Sequence, residues 1–186
     1  MKKATIYLLA FAAVMAGIQA IGETSEEAAR LKAKQIADRI TDMRSERAAS
    51  LLEADVKITP DVFKSVCGAV KKKAMAIAKK EGLKIRHAAI KNRNPDHAAT
   101  KADIKLHEYF SSNPDEEGVW EKVSLKEGEY IKYSRPVYVE EACLKCHGDK
   151  EKRPDFIKKK YPGDKAFGFK AGDLRGIIQV MVPLTE

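Results

Sequence analysis

Two cysteines separated by two residues and followed at once by a histidine, Cys143-Leu144-Lys145-Cys146-His147, form the segment with the most definite chemistry in the chain. Cys-x-x-Cys-His is the attachment signature of c-type haem. Two thiols on one turn can each add to a porphyrin vinyl group, and the next residue then faces the iron. His147 is therefore the expected proximal ligand, whose imidazole sets part of a reduction potential. The same pair of thiols would also suit a disulfide, a thioredoxin-like redox pair or half of a zinc site. A thioredoxin-type pair opens a helix after a strand within a βαβ unit, and a four-ligand zinc site needs a second ligand pair. Neither context is present in the sequence, so one covalent haem c is the expected cofactor.

Three cysteines less two for haem leave Cys67 over. An odd cysteine in an exported protein needs an explanation. One is a buried small hydrophobe. The other is a sixth iron ligand opposite His147, with Met43, Met75, Met181, His87, His97 and His107, or no protein ligand at all, as rivals. His97 and His107 sit in a polar stretch that favours exposure. His87, inside an expected strand, is the more serious rival.

Export is read from the N-terminus, where Lys2 and Lys3 precede the apolar run Ala4 to Ile18 and the small-residue stretch around Gln19-Ala20-Ile21-Gly22. Basic, apolar and small-residue regions in that order mark a secretory signal. Residues 1–22 are thus the expected signal peptide, cleaved after Ala20 or Gly22, and 23–186 a single periplasmic domain. The alternative is an uncleaved membrane anchor, since the run falls only slightly short of the roughly 20 apolar residues that span a bilayer.

With 186 residues there is room for one core of ordinary size, and 33% charged against 44% hydrophobic residues fits a folded globular domain. The formal net charge is +8, and losing Lys2 and Lys3 leaves 8 − 2 = +6. A nucleic-acid site would interleave basic and aromatic residues within a recognisable module, which is not seen. The excess lies in Lys71 to Lys73, Lys79-Lys80 and Lys158 to Lys160, a face suited to steering an acidic redox or signalling partner.

The elements that must position these residues follow from periodicity. Thr24-Ser25-Glu26-Glu27 offers a capping box ahead of a long helix with apolar residues at Leu31, Ile36, Ile40, Met43 and Leu51. Thr59-Pro60-Asp61 starts a second helix, expected to stop at Gly82 and to turn Phe63, Val66, Cys67, Val70, Ala74 and Ile77 into the core. Strands are expected over Lys84 to Ile90, Val119 to Leu125, Tyr130 to Val139 and Gly176 to Pro183, with a hairpin turn at Lys126-Glu127-Gly128-Glu129. Short helices are expected over Thr100 to Phe110 and around Asp155 to Tyr161. Helices followed by a mostly antiparallel sheet make an α+β fold. A helix as long as the first also offers a surface for a homodimer.

Four segments carry a family resemblance: the cysteine-bearing helix Val62 to Ile77, the loop Arg93-Asn94-Pro95, the Cys143-to-Gly148 motif, and the tail Tyr161-Pro162-Gly163-Asp164-Lys165-Ala166-Phe167-Gly168 through Gly172-Asp173-Leu174-Arg175-Gly176. Together they resemble small exported haem c domains of PAS-like fold, found alone or joined to sensor kinases. The resemblance covers nearly all of the chain after the signal. It implies a PAS-like antiparallel sheet behind long N-terminal helices, with haem held by His147 and by a cysteine on the second helix, here Cys67. It also places the strand and loop that carry Arg86 and Arg93 beside the haem, where guanidinium groups would fork onto its propionates. Where the family continues after Asn-Pro with Ala or Asn, this chain has Asp96-His97.

Two functions are expected from these readings: a periplasmic electron carrier, or alternatively a haem-based redox or gas sensor. No kinase or methyl-accepting module follows the domain up to Glu186, so a sensor would need a separate transmitter. A bound Cys67 would block the open iron site that catalysis requires, so no enzyme is expected.

Overall fold

The computed structural model describes residues 2–52 and 56–184, with side chains described from 25 onward. The expected signal segment 1–22 and the cap at Thr24 fall outside the residues whose side chains are described. Among the described residues no helix is long and apolar enough to cross a membrane.

The hairpin forms around Lys126 and Glu127, joining β2 (Val119–Leu125) to β3 (Gly128–Tyr138) in antiparallel register from Leu125 opposite Gly128 to Val119 opposite Ser134. β4 (Leu174–Pro183) pairs antiparallel with both β3 and β1 (Lys84–Ala88), giving the strand order β1-β4-β3-β2. β4 is central, and its burial is nearly continuous because helices cover both faces there.

Helix α1 (Lys2–Ala49) lies across β3 and β4. Its contact stripe is Ala29, Ala33, Ala37 and Ile40, whereas Leu31, expected on that stripe, is 58% exposed. Small residues at three- and four-residue spacing let the helix axis come close to the sheet, where Ile131, Tyr133, Val137, Ile178, Val180 and Val182 complete the core. On the other face α4 (Lys101–Ser112) is anchored by buried Phe110 and begins with a capping box between Thr100 and Asp103.

The second helix starts and stops where expected, with Thr59 capping α2 (Pro60–Phe63) and Gly82, at φ +64°, ending α3 (Ala69–Glu81). Between them Lys64–Gly68 is a π-helical segment, and Cys67 sits on it. Wide turns of this kind are rare and recur at functional sites.

Candidate functional site: a cavity shared by three cysteines and three histidines

Segments distant in sequence border one cavity of about 820 Å³. Its wall includes Ile40, Arg44 and Ala48 of α1, Val66 and Cys67 of the π-helical segment, His87 of β1, and Arg175 of β4. Cys143, Cys146 and His147 border the same space from a short helical stretch, a 3-10 turn Glu141–Cys143 leading into α5 (Leu144–His147). The volume lies within the roughly 300–1,000 Å³ of ligand clefts. Of the remaining residues considered as iron ligands, His97 and Met75 also border it, while Met43 packs on the core and His107 lies on α4 away from it.

Cys67 is not packed into the core as the stripe implied; it is exposed, and the space it faces is this cavity. The π turn and the hollow beneath it account for the difference: Val66 and Val70 are buried on either side while the thiol opens inward. Surrounding protein still desolvates it, raising its pKa, with Arg44 drawing it down and Cys143 pushing it up. Burial likewise raises the Cys143 thiol, and lifts Cys146 to about 11. Reactive thioredoxin-like pairs have lowered pKa values, so these thiols do not fit that alternative. All three cysteines are free, and among the described residues no group of three His, Cys, Asp or Glu converges as a zinc site would require.

The orientation of His147 is set by the tail. Its Nδ1 lies 2.7 Å from the Ala166 carbonyl oxygen, which can only accept, so Nδ1 carries the proton and Nε2 the lone pair. Arg93 Nη2 approaches Nδ1 only to 3.5 Å and donates instead to the Cys146 carbonyl at 2.8 Å. Burial, with repulsion from Arg175 and Arg93, holds His147 far below the ordinary imidazole pKa and therefore neutral. A neutral imidazole with Nδ1–H bound to a carbonyl is the usual preparation of a metal-ligating histidine.

One buried carboxylate fixes that carbonyl. Asp164, its side chain 1% exposed, accepts from Arg93 Nε at 3.1 Å and Arg153 Nη1 at 2.8 Å through Oδ2, and from the Ala166 amide at 2.8 Å through Oδ1. The Phe169 and Gly168 amides donate to the His147 and Gly148 carbonyls, so the tail is laced along the cysteine segment. Sequence reading placed Asp164 in the tail without a role.

Arg93 thus braces the site, while Arg86, which also borders the cavity, has its guanidinium engaged elsewhere. Arg86 pairs with Gln179 across β1 and β4, and that pair points to the α4 side of the sheet, opposite His87 and Ile178. There Arg86 Nη1 donates to Asp103 Oδ2 at 2.7 Å and Gln179 Oε1 at 3.0 Å, and Nη2 to the Ala98 carbonyl at 2.7 Å. In this arrangement Arg86 anchors α4. Two further arginines border the cavity with buried Nε atoms that have no partner, Arg44 and Arg175, which the sequence did not single out.

His87 lies on the cavity side, with its ring 5.3 Å from that of His97, edge to face. Gly176 makes room for it: a Cβ there would lie 2.9 Å from His87 Nε2 and 2.5 Å from the Ala88 carbonyl oxygen. His97, expected to be exposed, is held at the cavity by this stacking.

The family model described as Tll0287-like matches residues 22–183. The chain belongs to the Tll0287-like family. Its fold is similar to the crystal structure of the cyanobacterial heme-protein Tll0287, at 36% identity over 87% of this chain and 97% of that chain, with a TM-score of 0.72. No curated protein matches. The Tll0287-like match takes in the cysteine-bearing helix, the cysteine-histidine segment and the tail alike.

Proposed function

We propose that this chain is an exported, periplasmic monohaem c-type cytochrome of PAS-like fold, a single domain after its signal peptide, that transfers electrons and is not an enzyme. The observation that carries the reading is the convergence of Cys143, Cys146, His147 and Cys67 on one cavity, with His147 held neutral by burial and oriented by the Ala166 carbonyl. The relative's description as a heme-protein supports it. When bound, haem supplies a one-electron ferric/ferrous couple.

The chain's own residues divide the work. Cys143 and Cys146 are the attachment thiols, each presented to the cavity by the short helical stretch. His147 offers Nε2 as proximal ligand. Cys67, from the π-helical segment, would supply a sulfur ligand to the haem iron, where the metal charge favours the thiolate over the thiol that burial otherwise holds protonated. The mostly apolar wall of Ile40, Ala48, Val66, Val70 and Ile178 excludes water. The basic residues Lys64, Lys71 and Lys160 at the same cavity suit an acidic redox partner.

A redox or gas sensor acting through a separate transmitter is the second reading. It is favoured by α1, which borders the cavity with Ile40, Arg44 and Ala48 and also packs on the sheet, so it can feel a change of ligand.

The test is extraction and spectroscopy of the native protein. Haem is expected to stay with the chain through acid-acetone and denaturing electrophoresis, and the Cys67→Ala variant to keep it while gaining CO or imidazole binding and a higher potential. Extractable haem, or zinc in its place, would overturn the c-type assignment; a variant with the parent's ferric spectrum and potential would make Cys67 a wall residue and His87 the leading ligand.

A further inference from the structure

Arg44 on α1 and Arg175 on β4 reach the cavity from two elements, and the fold leaves both short of partners. Arg175 is 8% exposed, donates from Nη1 to the Lys91 carbonyl at 3.1 Å, and has its buried Nε without any partner. Arg44 has its buried Nε unpartnered too, and among the described residues it makes no hydrogen bond or ion pair. Buried guanidinium donors are ordinarily satisfied, and two left open on one cavity call for an acceptor.

The charge around them says what kind. Arg93 borders the same space but is neutralised by Asp164. Asp96 is the sole carboxylate among the described residues bordering the cavity, it is exposed, and it is bonded to Asn94. The other titratable neighbours are the cysteine thiols, His87, His97, His147, Tyr138 and Tyr161, all neutral or cationic, with Lys64, Lys71 and Lys160 adding positive charge. Desolvation, then repulsion from Arg44 and Arg93, pushes Arg175 down to about 10, so the pocket holds uncompensated positive charge. Planar guanidinium forks match carboxylates in bidentate geometry.

We propose that Arg44 and Arg175 form a carboxylate-binding pocket within this cavity whose occupants are the propionate groups of the bound haem. This rests on the haem reading above and adds two arginines to the Arg86 and Arg93 expected from the sequence. The pocket would fix which edge of the macrocycle faces α1 and β4.

The experiment uses the full chain purified with its haem, as wild type and as the Arg44→Gln, Arg175→Gln and Arg175→Lys variants. The propionate bending bands in resonance Raman spectra should shift in all three. At pH 7 the midpoint potential should move negative in both Gln variants, because a lost cation no longer favours the ferrous state, while Arg175→Lys stays near wild type. Titrating inorganic phosphate into the wild type should leave the potential unchanged, since the pocket is already filled. Unaltered Raman bands and potentials in the Gln variants overturn the assignment, and so does a phosphate-dependent shift in the wild type, which would make this an open anion site. Should Arg175→Gln not fold, Arg44→Gln decides alone, because among the described residues Arg44 makes no hydrogen bond or ion pair that the fold would lose. A wild type that carries no haem overturns the parent reading instead, so the two failures are distinct.

Discussion

Asp164 joins three things that the sequence keeps apart: the Arg93 loop, the Arg153 turn and the Ala166 carbonyl on which His147 leans. Removing one partner of a buried ion pair leaves an uncompensated charge and costs roughly 3–5 kcal/mol. Asp164→Asn is therefore expected to lower stability by about that amount in urea denaturation, and to broaden the spectral signature of the His147 side because the Ala166 carbonyl is no longer pinned. Asp164→Ala should do at least as much. Cys143, Cys146 and His147 stand out in the sequence because the expected chemistry demands adjacency, and the structure brings all three to one cavity. Asp164, Arg44 and Arg175 act through contacts with segments far along the chain, and no local spacing encodes such a contact. Arg86 shows that residue type leaves direction open: the two-residue alternation of β1 carries its guanidinium to Asp103 on α4.

At the scale of elements, strands with regular alternation were placed well, as with Val119–Leu125, and so was the helix start at Thr59-Pro60. Two features escaped. The inner stripe of α1 is built from alanines, which a search for large apolar residues passes over, and the π turn at Lys64–Gly68 leaves no mark in a periodicity count. Because Ala33 is fully buried against the sheet, Ala33→Leu should overpack that contact and cost about 1–3 kcal/mol, read from a lower thermal midpoint. Helix α4 offers a pH test. Burial pushes the Asp103 carboxyl up, but bonds from Thr100 and Arg86 outweigh it and hold it below its ordinary 3.8. A depressed folded value means that this contribution is complete above 3.8 and is lost as pH falls through the lower folded value. Acid unfolding monitored by circular dichroism should accordingly lose a component in Asp103→Asn, with the variant less stable than wild type at neutral pH and the gap closing on acidification.

For the molecule as a whole, positive charge concentrated beside the cavity predicts a rate effect more than a change in fold. Electron exchange with an anionic acceptor such as hexacyanoferrate should slow as salt is raised, and charge reversal at Lys71 and Lys160, both bordering the cavity, should slow it by about 10-fold or more at low ionic strength. Exchange with a cationic acceptor should respond in the opposite sense; equal responses would remove steering from the account. The strand order β1-β4-β3-β2 has a further consequence, in time rather than in space. β1 finds its sheet partner only in residues 174–183, so roughly ninety residues of chain must be made before it pairs at all. The β2–β3 hairpin can close early, yet the wall that carries His87 and Arg175 is assembled only when β4 slides in between. Until that late event Cys143 and Cys146 lie on an unroofed stretch of chain. The topology thus ties enclosure of both thiols to the pairing of the strand that is last in the chain.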